Sequence, residues 1–203
     1  FASYTPLSGS RSSGGLQCRM HTNCCNENGP RGFVSLLRSM VQTRDNEVFI
    51  NSYTSSRAKV VVPSTGALAE FEMHTLYPKE GRVDVYVRSQ RPSSFALTFR
   101  IPGWTDDVRM SVNGVAVAQE WLSAGSWVSE SREWRDGDHV RLEFGLPVRM
   151  HRLGDSVAFT RGPILLARDT RFDDGDLSEV LRETVLKNDV VQSFRPVRSP
   201  DPS

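Results

Sequence analysis

Residues 67–101 read ALAEFEMHTLYPKEGRVDVYVRSQRPSSFALTFRI. Within them, β-branched and aromatic residues alternate with polar ones in three runs, Ala67–Leu76, Arg82–Arg88 and Phe95–Ile101, and turn-forming residues separate the runs. A period of two indicates strands that bury one face. Strands spaced about ten residues apart, with no helix between them, predict an antiparallel β-sandwich.

The same alternation continues on both sides of this stretch. The further runs predicted as strands are Val48–Tyr53, Ala58–Val62, Val108–Val112, Val115–Val117, Ser126–Trp134 and Asp138–Phe144. Asn113-Gly114 predicts a type I′ hairpin turn, because that turn needs positive φ at both central residues. After Pro147, two more strands, Ser156–Thr160 and Ile164–Ala167, begin a second β unit. The predicted fold class is therefore mainly β, an antiparallel β-sandwich with a partial second β-sandwich.

One helix is predicted ahead of these strands. Residues 1–27 are loop-like, and residues 28–30 (Asn-Gly-Pro) suit a helix start because proline needs no N–H partner in the first turn. Apolar residues then recur at helical spacing and define one face of a helix that ends near Thr43. They are Phe33, Leu36, Leu37, Met40 and Val41. The strands that follow offer no second helix to cover this face, so we expect it to be exposed in this chain.

The pattern divides the chain into three parts. Residues 1–46 hold the loop and the helix, residues 47–150 form a β-sandwich domain, and residues 151–203 hold the partial second sandwich and a tail. A short helix is predicted in that tail at Leu177–Leu186. Because the chain opens on Phe1 rather than Met, we expect it to be the later part of a longer polypeptide.

Composition narrows the possible partners. The 203 residues carry a net charge of +1, so nothing favours a nucleic acid or an anionic membrane surface as a partner. No apolar run approaches the roughly 20 residues that span a bilayer. Three cysteines are too few for a disulfide framework. The sequence carries no signal for an oligomeric state or a compartment.

The candidate chemistry lies in a pair of adjacent cysteines, Cys24 and Cys25, just ahead of the predicted helix. Adjacent cysteines rarely bond to each other, because the ring they would close is strained. The start of a helix favours the thiolate form, so the pair could share a soft metal such as Zn²⁺, or one cysteine could act as a nucleophile. The alternative is that both are buried and inert.

Nearby residues could join this site. Cys18 lies six residues before Cys24, a spacing that allows a shared metal, a disulfide or a solitary thiol. His21 could be a ligand or a substrate contact, although a lone histidine is more often structural. Glu27 could be an acid/base group, but acidic residues near a helix start also suit the helix dipole.

The remaining histidines and the tryptophans fall among the strands. His74, His139 and His151 have no metal-ligand spacing and are interpreted as structural. The four tryptophans could form a platform that stacks on sugars, but core packing is the preferred interpretation. They are Trp104, Trp121, Trp127 and Trp134.

Several motifs together resemble glycoside hydrolase family 127, the β-L-arabinofuranosidases and their relatives. The matching stretches are Tyr4–Gly9, Cys18–Arg31, Phe99–Trp104, Val112–Gly114, Trp134–Asp138 and Arg161–Pro163. Each is weak alone, but their order and spacing make the set fairly specific. The resemblance implies an (α/α)₆-barrel catalytic domain followed by β-sandwich domains, with residues 1–46 as the C-terminal end of the barrel.

The resemblance also implies a chemistry. Family members similar to this chain hydrolyse glycosides with retention, using a zinc-bound cysteine as nucleophile and a glutamate as acid/base. Cys24 would then be the nucleophile, Cys24 and Cys25 would bind zinc, and His21 would be a weak candidate for substrate binding. The substrates implied are β-L-arabinofuranosides or related glycosides.

The sequence departs from the family at one important point. The family's acid/base glutamate and a further cysteine ligand lie in a Glu-x-Cys element upstream of the cysteine pair, and this sequence has no such element. We therefore expect no glycosidase activity from this chain alone, because retaining hydrolysis needs two groups around the scissile bond. The alternative functions are a non-catalytic β-sandwich module that binds carbohydrate or is structural and, less favoured, a small redox or zinc-binding protein.

Overall fold

A computed structural model describes residues 24–154 and 156–166. Within these ranges the chain forms one α-helix and thirteen strands. They are α1 Cys24–Ser39, β1 Val41–Arg44, β2 Glu47–Ile50, β3 Ser56–Val61, β4 Leu68–Thr75, β5 Arg82–Arg88, β6 Ser93–Arg100, β7 Val108–Val112, β8 Val115–Ala116, β9 Trp127–Trp134, β10 His139–Phe144, β11 Val148–Leu153, β12 Ser156–Arg161 and β13 Ile164–Leu166. A 3₁₀ turn at Gln119–Trp121 lies between β8 and β9.

The strands form two large sheets and one small one. The four-stranded sheet has the order β1-β2-β6-β9, and the six-stranded sheet has the order β3-β4-β5-β10-β7-β8. The small sheet has the order β11-β12-β13. All pairings are antiparallel except that of β2 with β6, where Glu47 pairs with Ala96 and Ile50 with Phe99 in parallel register. The predicted mainly β, antiparallel sandwich is confirmed, with this one parallel pair as an addition.

The core lies between the two large sheets because alternate side chains of each sheet point inward. The ring of Phe71 on β4 meets that of Phe95 on β6 edge-on, with 6.2 Å between centroids. Trp134 is fully buried, and its indole N–H donates to the Phe95 carbonyl oxygen at 3.0 Å. Each fully buried apolar side chain of this kind contributes about 1.5–3 kcal/mol of transfer free energy.

The helix differs from its predicted bounds at both ends. It begins at Cys24 rather than at residue 28, so Pro30 lies inside it, and it ends at Ser39 rather than near Thr43. Beyond Ser39 the chain pairs with β2, and the Asn51 backbone N–H donates to the Met40 carbonyl oxygen at 2.8 Å. Pairing with a neighbouring strand thus overrides the helical spacing of the sequence after residue 39.

The predicted exposure of the helix face is confirmed for the part of it that is helical. Phe33, Leu36 and Leu37 are 62%, 52% and 66% exposed. Met40, the next position of the same face, has left the helix and is buried. The helix is not long and apolar enough to cross a membrane, and no other helix is found in the described part of the chain.

The strand predictions hold with small shifts at their ends. The hairpin turn is confirmed, since Asn113 and Gly114 have φ of 52° and 82°. Strand β11 was not predicted, because the basic residues and the histidine in Val148–Leu153 mask its alternation. The helix predicted at Leu177–Leu186 lies outside the described residues.

The small sheet is held against the sandwich at one glycine. Gly162 has a φ of 55°, and a Cβ there would come within 2.7 Å of Leu146 Cδ2 and 3.2 Å of Trp104 Cζ3. Beside it, the Arg161 guanidinium donates to the Lys79 carbonyl oxygen at 3.0 Å. The absence of a side chain at Gly162 therefore allows the β12–β13 turn to lie close to Trp104.

Candidate functional site

The cysteine pair opens helix α1. Cys24 and Cys25 are its first two residues, whereas the sequence predicted them to lie just ahead of the helix. Cys18 and His21 lie outside the described residues, so the placement of His21 as a substrate contact stays a prediction. Among the described residues, no group of three or more histidine, cysteine or acidic side chains is arranged to hold a metal ion.

The three histidines among the strands all have protein partners. His74 Nε2 lies 3.3 Å from Glu72, and His151 Nε2 lies 2.9 Å from the Thr160 hydroxyl. His139 stacks on Tyr86, with ring centroids 4.6 Å apart. These contacts suit the structural roles interpreted from the sequence.

Asp84, which sequence reasoning did not single out, is the most deeply buried acid of the described chain. It is 6% exposed on β5, and its carboxylate accepts from Arg82 Nε at 2.6 Å and from Arg141 Nε at 2.9 Å. His139 Nε2 lies 2.7 Å from the same carboxylate. Burial acts to raise the pKa of Asp84, but the hydrogen bonds from Arg82, Arg141 and His139 outweigh it and lower the pKa to about 2.

Neighbouring acids on the outer face of the six-stranded sheet are paired in the same way. Glu72 lies 3.0 Å from Arg57 and 3.3 Å from Arg88, and the Arg57 hydrogen bond leads in lowering the pKa of Glu72. Glu70 lies 3.0 Å from Lys59. In the register of β3, β4 and β5, each acid lies directly or diagonally opposite its basic partner on the neighbouring strand. The face is thus a network of internally satisfied charges.

The four tryptophans have different environments. Trp134 is in the core, as predicted, and Trp104 is half-buried and packs against the core. The core prediction is wrong for Trp121 and Trp127, which are 59% and 47% exposed. Trp121 belongs to the 3₁₀ turn, and Trp127 begins the edge strand β9.

Trp127 forms part of an aromatic surface on the outer face of the four-stranded sheet. Its ring meets that of Phe49 edge-on, with centroids 5.8 Å apart and planes at 86°. The Arg44 guanidinium lies over Phe49, 5.2 Å from the ring centroid. Beside these rings, the Thr98 hydroxyl lies 2.5 Å from Glu47 Oε1 and 2.8 Å from the Ser129 hydroxyl.

A cleft of about 240 Å³ lies next to this surface. Its lining includes Asn51, Tyr77, Arg100 and Trp104. The Tyr77 and Trp104 rings are stacked, with centroids 6.2 Å apart and planes at 25°. The Tyr77 hydroxyl is protonated at neutral pH and can donate a hydrogen bond, and burial raises its pKa further.

The floor of the cleft is fixed by contacts to the backbone. The buried Tyr53 hydroxyl donates to the Arg100 carbonyl oxygen at 2.6 Å. The Asn51 amide donates to the Ser39 carbonyl oxygen at 2.6 Å and to Gln42 Oε1 at 3.0 Å. Asn51 therefore joins the cleft to the end of helix α1.

A wider and more open depression, of about 760 Å³, contains no aromatic side chain in its lining. It is lined in part by Lys59, Glu70 and Arg88, whose charges are already paired on the outer face of the six-stranded sheet. This depression therefore lacks the aromatic rings that line the cleft.

The family comparison agrees with the resemblance. Residues 47–146 match the family described as β-L-arabinofuranosidase, GH127 middle domain. No curated protein sequence matches the chain significantly.

Three solved structures are also similar to this chain. A GH127 β-L-arabinofuranosidase from Geobacillus stearothermophilus T6 is 27% identical, with a TM-score of 0.62 over 70% of this chain and 23% of that one. A GH127 β-arabinofuranosidase is 26% identical, with a TM-score of 0.61 over 70% of this chain and 25% of that one. A structure described as a glycoside hydrolase, 24% identical, has the same fold, with a TM-score of 0.66 over 80% of this chain and 27% of that one. This chain thus spans about a quarter of the length of the structures it matches.

Proposed function

We propose that this chain, whose residues 47–146 match the middle domain of glycoside hydrolase family 127, is the C-terminal portion of a retaining glycoside hydrolase. The proposed substrates are β-L-arabinofuranosides or related glycosides. The match over residues 47–146 carries the proposal, and the cysteine pair on the helix that leads into this domain supports it. In this proposal residues 1–46 are the end of the catalytic barrel, residues 47–150 a sandwich, and residues 151–203 a partial second sandwich.

The proposed nucleophile is Cys24. A thiolate at the start of a helix is stabilised by the unpaired N–H groups of the first turn. Its sulfur would attack the anomeric carbon, and the bond from that carbon to the leaving oxygen would break as an acid group protonates the oxygen. Water would then cleave the resulting thioglycoside, returning a proton to the acid/base group and restoring the thiolate with net retention.

The proposed metal is Zn²⁺, with Cys24 and Cys25 among its ligands. Zinc supplies a positive charge that holds a bound thiol in its deprotonated form. Structural zinc sites have four protein ligands, so two cysteines leave the ligand set incomplete. The residues described here do not complete it, and the remaining ligands would come from outside them.

The proposal predicts no hydrolysis by the 203-residue chain alone, because the sequence has no Glu-x-Cys element to supply the acid/base group. The purified chain should show no release of an aryl leaving group from an aryl β-L-arabinofuranoside. Measurable release by the chain, lost on Cys24→Ser, would contradict the prediction of inactivity and would place both catalytic groups within these residues.

Zinc stoichiometry tests the metal and the nucleophile together. Zinc near one per purified chain, lost in both Cys24→Ser and Cys25→Ser and kept in Ser39→Ala at the far end of the same helix, would support these two ligands. No zinc in the unsubstituted chain would mean that the site needs ligands from outside this chain. A Cys18→Ser variant tests whether Cys18 substitutes for the missing ligand. Zinc that survives both cysteine-pair substitutions would overturn the assignment of Cys24 and Cys25 as ligands.

A further inference from the structure

Aromatic rings and an arginine lie near one another at one end of the four-stranded sheet. The aromatic band consists of Phe49, Trp127, Arg100, Tyr77 and Trp104. Phe49 and Trp127 are in contact, and Arg100, Tyr77 and Trp104 line the cleft. Arg100 and Trp127 are directly opposite each other on β6 and β9, so their side chains leave the same face of the sheet. The exposed aromatic surface and the cleft are therefore neighbours.

The band has the chemistry of a sugar site. The exposed Trp127 ring and the part-buried Tyr77 and Trp104 rings combine apolar surface with a polar edge, which suits a ligand whose ring faces are apolar and whose rim carries hydroxyl groups. The Arg100 side chain lines the cleft, and its guanidinium, which carries five donors, has no hydrogen-bond partner within the described residues. The side-chain amide of Asn51 donates hydrogen bonds to Ser39 and Gln42, which leaves its side-chain oxygen as an acceptor.

We propose that the aromatic band is a non-catalytic binding site for an oligosaccharide of L-arabinofuranosyl units. The cleft, at about 240 Å³, is below the size of sites for drug-sized ligands and suits one sugar ring. Trp127 stacks on the next sugar unit outside the cleft. The choice of sugar rests on the proposed function, whereas the site itself rests on residues of the sandwich, remote in sequence from Cys24.

Two other tryptophans show why exposure at Trp127 is informative. Trp134, on the same strand, is fully buried and hydrogen-bonded, as a structural tryptophan should be. Trp121 is equally exposed, yet it does not line the cleft and makes no ring contact with another aromatic residue of the described chain. Trp121 is therefore a matched control for an exposed indole outside the band.

Calorimetric titration of the full 203-residue chain with a linear L-arabinofuranosyl tetrasaccharide tests the proposal. The chain should bind the tetrasaccharide. Trp127→Ala and Arg100→Met should each weaken binding by at least about tenfold, the size of effect typical of a residue that matters in an interface. Trp121→Ala should bind as the unsubstituted chain does. An unchanged thermal midpoint for each variant shows that loss of binding is not loss of folding.

Three results would overturn the proposal. The first is no binding by the unsubstituted chain, and the second is binding that neither Trp127→Ala nor Arg100→Met weakens. The third is a loss of binding in Trp121→Ala as large as that in Trp127→Ala. Binding should persist in Cys24→Ser, since the band does not include the cysteine pair. If Cys24→Ser lost binding of the sugar while Trp127→Ala kept it, the sugar would bind at the start of helix α1. That result would contradict the band and favour the proposed function. Sugar binding by a chain that holds no zinc would support the band, because the band does not include the cysteine pair.

Discussion

The outer faces of the two large sheets differ in how their polar groups are used. On the six-stranded sheet, the acids Glu70, Glu72 and Asp84 all have cationic partners within 3.0 Å on neighbouring positions. On the four-stranded sheet, Trp127 is exposed and Arg100 has no hydrogen-bond partner within the described residues. A face whose charges satisfy each other has little to offer a ligand, whereas a face with free donors beside aromatic rings does.

Among changes on the two outer faces, the largest effect is expected from the most buried member of the charged network. Asp84→Ala removes the acceptor shared by Arg82, Arg141 and His139, leaving guanidinium groups with fewer partners on a packed sheet. We expect a loss of about 3 kcal/mol in the free energy of unfolding, the cost typical of breaking a buried ion pair by deleting one partner. Urea unfolding at neutral pH measures it.

Glu72→Gln is the matched control for this change, because Glu72 also has two arginine partners but is more exposed. Solvent screens its interactions, so its substitution should cost clearly less than Asp84→Ala. Equal losses in the two variants would mean that the network stabilises the sheet by general charge balance and not through the buried carboxylate.

Acidification should lower the free energy of unfolding by a somewhat smaller amount. The folded-state pKa of Asp84, about 2, is below its ordinary value of 3.8, so its contribution is present above about pH 4 and is lost as the pH falls through about 2. The shift corresponds to about 2 kcal/mol, and the carboxylate is only 9% exposed, which limits screening. Urea unfolding of the unsubstituted chain and Asp84→Asn should therefore show a difference in stability that narrows on acidification. A difference that stays constant from about pH 5 to pH 2 would contradict this.

The contrast between the faces was only partly predictable. The alternation of apolar and polar residues along β5 and β10 predicts that Asp84 and Arg141 each lie on the outer face of their strand. No local feature of the sequence shows that these two strands pair across more than fifty intervening positions. The parallel pairing of β2 with β6 escaped prediction for the same reason, since the chain leaves the four-stranded sheet for three strands before returning to it.

The tryptophans show a signal that was present in the sequence. Trp127 and Trp134 are seven residues apart on one predicted strand, and side chains alternate between faces, so an odd separation puts the two on opposite faces. Only one of them could be in the core. Which one is buried depends on the register of β9 against β6, where Trp134 is opposite Ser93 and its indole reaches the Phe95 carbonyl.

At the cysteine pair, the sequence motifs point to a family chemistry, and the structure adds the helix that carries Cys24 and Cys25. The rest of a metal site was not predictable from local patterns, because metal ligands are brought together by tertiary packing of distant segments. The roles of Cys24, Cys25 and His21 therefore stay predictions, tested by the zinc measurement.

The smallest expected effect on stability comes from the open face. Trp127→Ala removes an indole that is 47% exposed and has no hydrogen bond within the described chain, and the aromatic contact it loses is the edge contact with Phe49. The free energy of unfolding should change by less than about 1 kcal/mol. Trp134→Ala, on the same strand, should cost about 3–5 kcal/mol because it leaves a cavity in the core. If Trp127→Ala destabilised the chain as much as Trp134→Ala, the indole would be a packing residue, and the aromatic band would lose the feature that separates it from the closed face of the other sheet.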